Sequence, residues 1–230
     1  MCRIVLGNIH LGSTIENMFK AEDLHADLIP YLETDGPFPM IRHPLVFSVP
    51  YFDVMNEHLN LMYEHKKKKI NECMVSGDLE TVVYLHERPY RLNALLSIRS
   101  SLTPAQFANL LRSVWVDSEN VHENLETWVE LWDEVEDRAS IMEEPELEQL
   151  SKLDSEVTIY RGFRDTVDAA NGISWTTDRK TAEWFANRFS KTPYIAEATV
   201  EKSDIIALIL SRGENEVVTL NPKITSVTKL

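Results

Sequence analysis

The chain has 230 residues, 43% hydrophobic and 26% charged, with a formal net charge of -14. This is the composition of a folded globular protein with ample length for a buried core, not of a disordered acidic tail. The acidic balance makes nucleic acid an unsuitable partner, since phosphates require Lys and Arg. No run of about eighteen apolar residues is present to span a membrane.

The N-terminal residues lack the basic, apolar and small-residue zones of a signal peptide. Cys2 and Cys73 are the only cysteines, too few for a disulfide framework. Together these features predict a protein of the reducing cytoplasm. Met1-Cys2 followed by apolar residues resembles the start of N-terminal-cysteine amidotransferases, although Arg3 stands where a small residue belongs. Residues 1–50 are broken by Pro30, Pro37, Pro39, Pro44 and Pro50, which predicts short surface helices or turns, with a helix over 21–32.

From Tyr51 to Val135 the periodicity is helical. Phe52, Met55, Leu59 and Met62 share a face that runs into Lys66-Lys67-Lys68-Lys69, which reads as a solvated helix end favoured by the macrodipole. Ser76-Gly77-Asp78 stops one helix and starts the next. Thr103-Pro104-Ala105-Gln106 is a helix start with cap, proline and capping-box glutamine. Trp115, Trp128 and Trp132 fall at core spacing. His86 reads as a hydrogen-bonded core histidine. The seven histidines form no His-Glu-x-x-His pattern and the cysteines no Cys-x-x-Cys, so no metal is expected.

Between Asp117 and Glu156 only Arg138 and Lys152 offset a dense series of acids. A basic protein partner is compatible with that charge. Glu143-Glu144-Pro145-Glu146 reads as the end of the helical part and places a domain boundary within 140–155. The expected organisation is therefore a mainly helical region over 1–150 and a β-rich core over 151–230, an α+β fold.

Beyond Ser155 the pattern turns to strands: 157–160, 172–176, 194–200, 205–210, 216–220 and 224–227. A single helix interrupts them, capped by Asp178, with Ala182, Phe185, Ala186 and Phe189 on its apolar face. Arg161 follows strand residue Tyr160 and precedes Gly162. Arginine carries a planar fork of donors suited to phosphate, and glycine admits close approach of a ligand to the backbone. Read singly, Arg161 is a strand-end surface residue, Ser174 a strand-face hydroxyl, and Glu214-x-Glu216 a charged edge strand. An extended chain would put Glu214 and Glu216 on the same side. Taken together, they suit cleavage of an N-glycosidic bond. A carboxylate stabilises the oxocarbenium-like state, a serine orients that carboxylate, and an arginine holds the phosphates.

Tyr160-Arg161-Gly162, Ser174-Trp175-Thr176 and Glu214-Asn215-Glu216 resemble the arginine–serine–glutamate class of mono-ADP-ribosyltransferases, the fold of clostridial-type toxins and several phage-encoded enzymes. The resemblance covers residues 157–230 and implies a split mixed or antiparallel β-core with NAD, used as substrate, in its cleft. It implies that Arg161 binds NAD phosphate or ribose, that Gly162 lies against the nicotinamide, and that Ser174 positions the catalytic Glu216. Glu214 becomes the acid that accompanies transfer to arginine. Trp175, Trp184 and Phe185 are candidates to meet the nicotinamide ring, and Thr176 completes the serine motif. Ser-Trp-Thr stands where Ser-Thr-Ser is usual, so a register using Thr176-Thr177 stays open. The activity implied is transfer of ADP-ribose to arginine of a protein target, acting in a host cytoplasm if the chain is a phage or bacterial effector. NAD hydrolysis and an acidic protein-binding module with an inert or NAD-sensing domain are the alternatives. The short turn before Glu214 shifts target recognition, or covering of the cleft, to the helical region.

Overall fold

The fold is α+β; among the described residues the helices lie mostly in the N-terminal two thirds and the strands form two β-sheets. The computed structural model describes residues 22–119, 121–164, 170–188 and 192–230. Met1-Cys2 and Phe189, singled out above, lie outside the described residues. The chain divides into two compact units, Met1–Ala94 and Leu95–Leu230. Among the described residues no helix is long and apolar enough to cross a membrane.

In the first unit, residues 22–32 do not form the expected α-helix; they contain only a short 3-10 turn, Ile29–Tyr31. The reason lies in where their backbone groups bond. Asn60 accepts from the His25 amide at 2.8 Å and donates to the Asp23 carbonyl at 2.9 Å, while Asn56 donates to the Glu22 carbonyl at 2.8 Å. Partners supplied from outside replace the i to i-4 ladder. A small antiparallel sheet follows, made of β1 (Leu32–Glu33), β2 (Met40–His43) and β3 (Val46–Ser48). Helix α1 (Asn56–Ser76) places Leu59 and Tyr63 against Leu28, Ile41 and Val46 in one core. The lysine run is not at a helix end. It lies inside α1, where Lys66 pairs with Glu87 at 2.7 Å and Lys67 with Asp27 at 3.0 Å. Gly77, at φ 79°, closes α1 in the left-handed conformation. Asp78 then caps α2 (Leu79–Leu85) by accepting from the Thr81 amide. His86 bonds the Val82 carbonyl at 2.8 Å, and burial lowers its pKa. Helix α3 (Arg91–Ile98) follows and runs past Ala94, the last residue of this unit.

The second unit carries the larger sheet. Helix α4 (Pro104–Asp117) begins at the expected capping box, with Thr103 and Gln106 each bonding the other's amide. It buries Phe107, Leu110, Leu111, Val114 and Trp115. Helix α5 (Leu125–Asp133) buries Trp128, Leu131 and Trp132. Trp115 meets the rings of Trp128 and Trp132 edge-on, at 5.0 and 5.5 Å.

Glu143-Glu144-Pro145-Glu146 does not end the helical part; it opens α6 (Glu144–Lys152), with the proline in the first turn where no donor is lost. Glu146 is not a solvated acid either. It is buried, with Oε1 accepting from Arg112 at 2.7 Å and from the Leu210 amide at 2.8 Å, and Oε2 from the Glu143 amide at 2.8 Å. These bonds offset its desolvation and fix the start of the turn that carries Glu214 and Glu216.

The strands are β4 (Glu156–Arg164), β5 (Ser174–Thr176), β6 (Pro193–Glu201), β7 (Ala207–Ile209), β8 (Glu216–Val218) and β9 (Lys223–Lys229). Their order is β7-β8-β5-β4-β6-β9, and every described pairing is antiparallel. β4 and β6 pair along their whole lengths, whereas β4 meets β5 at one register position, Tyr160 opposite Thr176. The sheet is thus weakly stitched at its middle. One face packs Val157, Ile159, Phe163, Trp175 and Val217 with Leu150 and Leu153. On the other, Gly162 lies under helix α7 (Arg179–Asn187). Asp178 caps α7 by accepting from the Lys180 amide, and Ala182 and Ala186 are the helix's buried residues.

Candidate active site

A cavity of about 690 Å³ opens where β4 and β5 stop pairing, within the roughly 300–1,000 Å³ of small-molecule sites. Seven of the residues singled out from the sequence line it, Arg161, Gly162, Ser174, Trp175, Thr176, Glu214 and Glu216, whereas Trp184, also a candidate for the nicotinamide ring, is not among its lining residues. Phe185 lines it as well.

Glu216 is the best-held of them. It opens β8 in register with Thr176, and its side chain is only 6% exposed. Its Oε1 accepts from the Ser174 hydroxyl at 2.6 Å and from the Trp115 indole N–H at 3.0 Å. Ser174 and Glu216 share a face because Ser174 lies two residues before Thr176, the register partner of Glu216. Oε2 is buried and makes no hydrogen bond among the described residues. The Arg212 guanidinium lies 3.7 Å from it. One oxygen is therefore clamped and the other kept for something else. A buried carboxylate oxygen without a donor is costly unless a ligand supplies one.

Glu214 reaches the cavity by a different route from the one strand alternation predicts. It precedes β8, and Asn215, at φ 47°, is left-handed, so the two carboxylates are not successive same-side residues of an extended strand. Gly213, at φ 68°, supplies a second left-handed step. Thr176 holds this turn: its hydroxyl donates to the Glu214 carbonyl at 2.7 Å, and the Thr177 amide donates to the Asn215 carbonyl at 3.2 Å. It is thus the Ser174 hydroxyl, and not that of Thr176, which reaches the carboxylate of Glu216. Burial pushes the Glu214 carboxyl up, against the pull of Arg212 and with a further push from Glu216.

Arg161 is half-buried and donates to the Ser174 carbonyl at 2.5 Å. Gly172 makes room for it, since a Cβ there would stand 2.3 Å from the guanidinium carbon. Burial lowers the Arg161 pKa to about 10, with Glu216 opposing the shift, so the group remains a cation at neutral pH. Gly162 has a packing reason as well as its place on the cavity wall. A Cβ would fall 1.9 Å from the Ala182 carbonyl oxygen, so only glycine lets α7 lie this close to β4. Trp175 is a core side chain whose indole donates to the Gly172 carbonyl at 2.7 Å. Trp184 is 57% exposed, with the Arg188 guanidinium 5.1 Å from its ring centroid.

Sequence reasoning missed three kinds of contributor. Trp115, read as core, also bonds Glu216, and Ser118, His122 and Leu125 bring the helical segment into the cavity wall. Arg212, read as a turn residue, stands 3.1 Å from Glu214 Oε2. Arg164 and Arg188 also line the cavity. In a chain of net charge -14, Arg161, Arg164, Arg188 and Arg212 surround one cavity; that clustering suits an anionic ligand such as a diphosphate. Among the described residues no group of His, Cys, Asp and Glu is arranged to hold a metal ion. The set can bind an anion, aim a buried carboxylate oxygen at a centre of developing positive charge, and take a proton at Glu214. No family model, curated protein or solved structure matches the chain.

Proposed function

We propose that the protein is an NAD-dependent mono-ADP-ribosyltransferase that moves ADP-ribose to an arginine of a protein target and releases nicotinamide. The observation that carries this reading is the division of labour on Glu216. Oε1 is fixed by Ser174 and Trp115, while Oε2 is buried without a hydrogen bond among the residues of the cavity. Oε2 accepts a hydroxyl of the nicotinamide ribose, and its charge stabilises the positive charge that grows on that ribose as the glycosidic bond lengthens. A carboxylate already oriented and desolvated needs no reorganisation to do so. Arg161, with Arg164 and Arg188 nearby, supplies cations for the diphosphate. Glu214, its carboxyl pushed up by burial, accepts the proton of the incoming arginine. The single register pair between β4 and β5 supports the split β-core that such a cleft requires. The acidic surface favours a basic target.

The test is Glu216→Gln, which keeps volume and the Ser174 contact but removes the charge. Nicotinamide release from NAD should fall by roughly 10²–10³-fold or more, the scale of a lost electrostatic stabiliser. A folded variant with full activity would falsify the assignment. Adenine-labelled NAD incubated with target-bearing lysate and the native chain should leave label on protein; label found only in free ADP-ribose assigns water as the acceptor.

A further inference from the structure

The Glu-x-Glu pair already faces a guanidinium from its own chain. Arg212 Nη2 lies 3.1 Å from Glu214 Oε2 and 3.7 Å from Glu216 Oε2, and Nη1 donates to the Val116 carbonyl at 3.1 Å. The left-handed residues Gly213 and Asn215 turn the backbone so that an arginine four positions before Glu216 comes back onto both carboxylates. Any arginine offered by another protein must put its guanidinium between the group that holds the ribose and the group that takes the proton. Arg212 occupies that place.

We propose that Arg212 is an acceptor built into the chain, so that the protein ADP-ribosylates its own Arg212 in cis. This rests on the transferase reading above and names a substrate of that same site. The step is balanced without any further reactant. Glu214 takes a proton from Nη2, and the nitrogen lone pair forms a bond to C1 of the nicotinamide ribose. The bond from C1 to the pyridinium nitrogen breaks, and its electron pair returns to the ring as neutral nicotinamide. The product guanidinium keeps its positive charge. Its bulk then stands at the Glu214 and Glu216 carboxylates, where an external arginine must dock, so the modification makes activity toward other proteins self-limiting.

The experiment uses the purified full chain with NAD and no other protein. Intact mass should rise by a single ADP-ribosyl group, peptide mapping should locate it on Arg212, and the rate per chain should not change with protein concentration. Arg212→Lys should lose this modification. Nicotinamide release with Arg212 unmodified, or with the group on another residue, overturns the inference and leaves the transferase or hydrolase reading standing. A rate per chain that rises with protein concentration overturns the cis assignment. Absence of nicotinamide release under every condition removes both readings together. Mapping on the native chain makes the result independent of how well the variant folds.

Discussion

The indole N–H of Trp115 and the Ser174 hydroxyl meet on one oxygen of Glu216, and the Trp115 donor comes from 101 residues earlier in the chain. The helical segment is therefore part of the site's chemistry. Trp115 is 3% exposed and edge-packed on Trp128 and Trp132, so its nitrogen has little freedom to move away. A donor held by packing costs no ordering when the carboxylate must work.

Trp115→Phe keeps much of the packing and removes that donor. A hydrogen bond to a charged group is worth about 1.5–3 kcal/mol, so stability should drop by an amount of that order in chemical denaturation. NAD cleavage should fall by roughly tenfold, the equivalent of about 1.4 kcal/mol of barrier. Combining it with Ser174→Ala should be non-additive, because both donors act on Glu216 Oε1. Strictly additive effects in a double-mutant cycle would show that the two donors do not cooperate on this oxygen.

Gly162→Ala should fail for a packing reason. The added Cβ would meet the Ala182 carbonyl oxygen at 1.9 Å and the Ala186 amide at 2.6 Å, both backbone atoms of α7 that cannot rotate away. Helix α7 must lift off β4, and overpacking of this kind costs about 1–3 kcal/mol or more. Thermal unfolding should report a clear loss of Tm. An unchanged Tm would mean that the strand and helix can separate freely.

The division between what the sequence disclosed and what it hid follows from physical range. Arg161, Ser174, Glu214 and Glu216 stood out because each residue type is unusual in its own short context, and all four line the cavity. The capping box at Thr103 and the Asp178 cap were legible because a cap is decided within three residues. Trp115 was not, since core spacing on α4 is the same whether or not its nitrogen has a distant partner. Arg212 looked like turn punctuation, and the left-handed conformation of Asn215, which overturns the same-side strand argument, leaves no periodic signal. The segment 22–32 went wrong for the same reason. Its hydrogen bonds are to Asn56 and Asn60 on α1, which no local window contains.

Gly172→Ala should separate binding from folding. Here the added Cβ would collide with Arg161 Cζ and Nη2 at 2.3 Å, the far end of a flexible side chain. The guanidinium can swing aside, so Tm should change little. The position from which it donates to Ser174 would be lost, and with it the cation that the proposed function assigns to the diphosphate. KM for NAD should rise about tenfold or more, equivalent to at least about 1.4 kcal/mol of binding, and Arg161→Lys should resemble it because an ammonium cannot replace the fork. A KM unchanged in both variants would take Arg161 out of the binding site.

Glu214 makes the pH dependence of the site predictable in sign. Burial raises its pKa, with Arg212 opposing and Glu216 adding, so the native state holds this proton more tightly than the unfolded chain. The stability it contributes is therefore complete below the unfolded pKa and is lost as pH rises through the higher folded one. With Glu214 as the base of the proposed transfer, the reaction requires its ionised form, so the acidic limb of the transfer rate should lie above the ordinary Glu value of about 4.3. Glu214→Gln should abolish that limb and flatten the dependence of stability on pH across the interval between the two values. Its net effect on stability at neutral pH should be small, because removing the half-buried charge also removes a partly exposed pair with Arg212, itself worth only about 0.2–1 kcal/mol. Transfer to arginine should suffer more than NAD hydrolysis, since water can attack through a free lone pair and lose its proton afterwards, whereas a guanidinium has no nucleophilic lone pair until a base removes a proton. If Glu214→Gln left both the acidic limb and the ratio of transfer to hydrolysis untouched, Glu214 would not be the base.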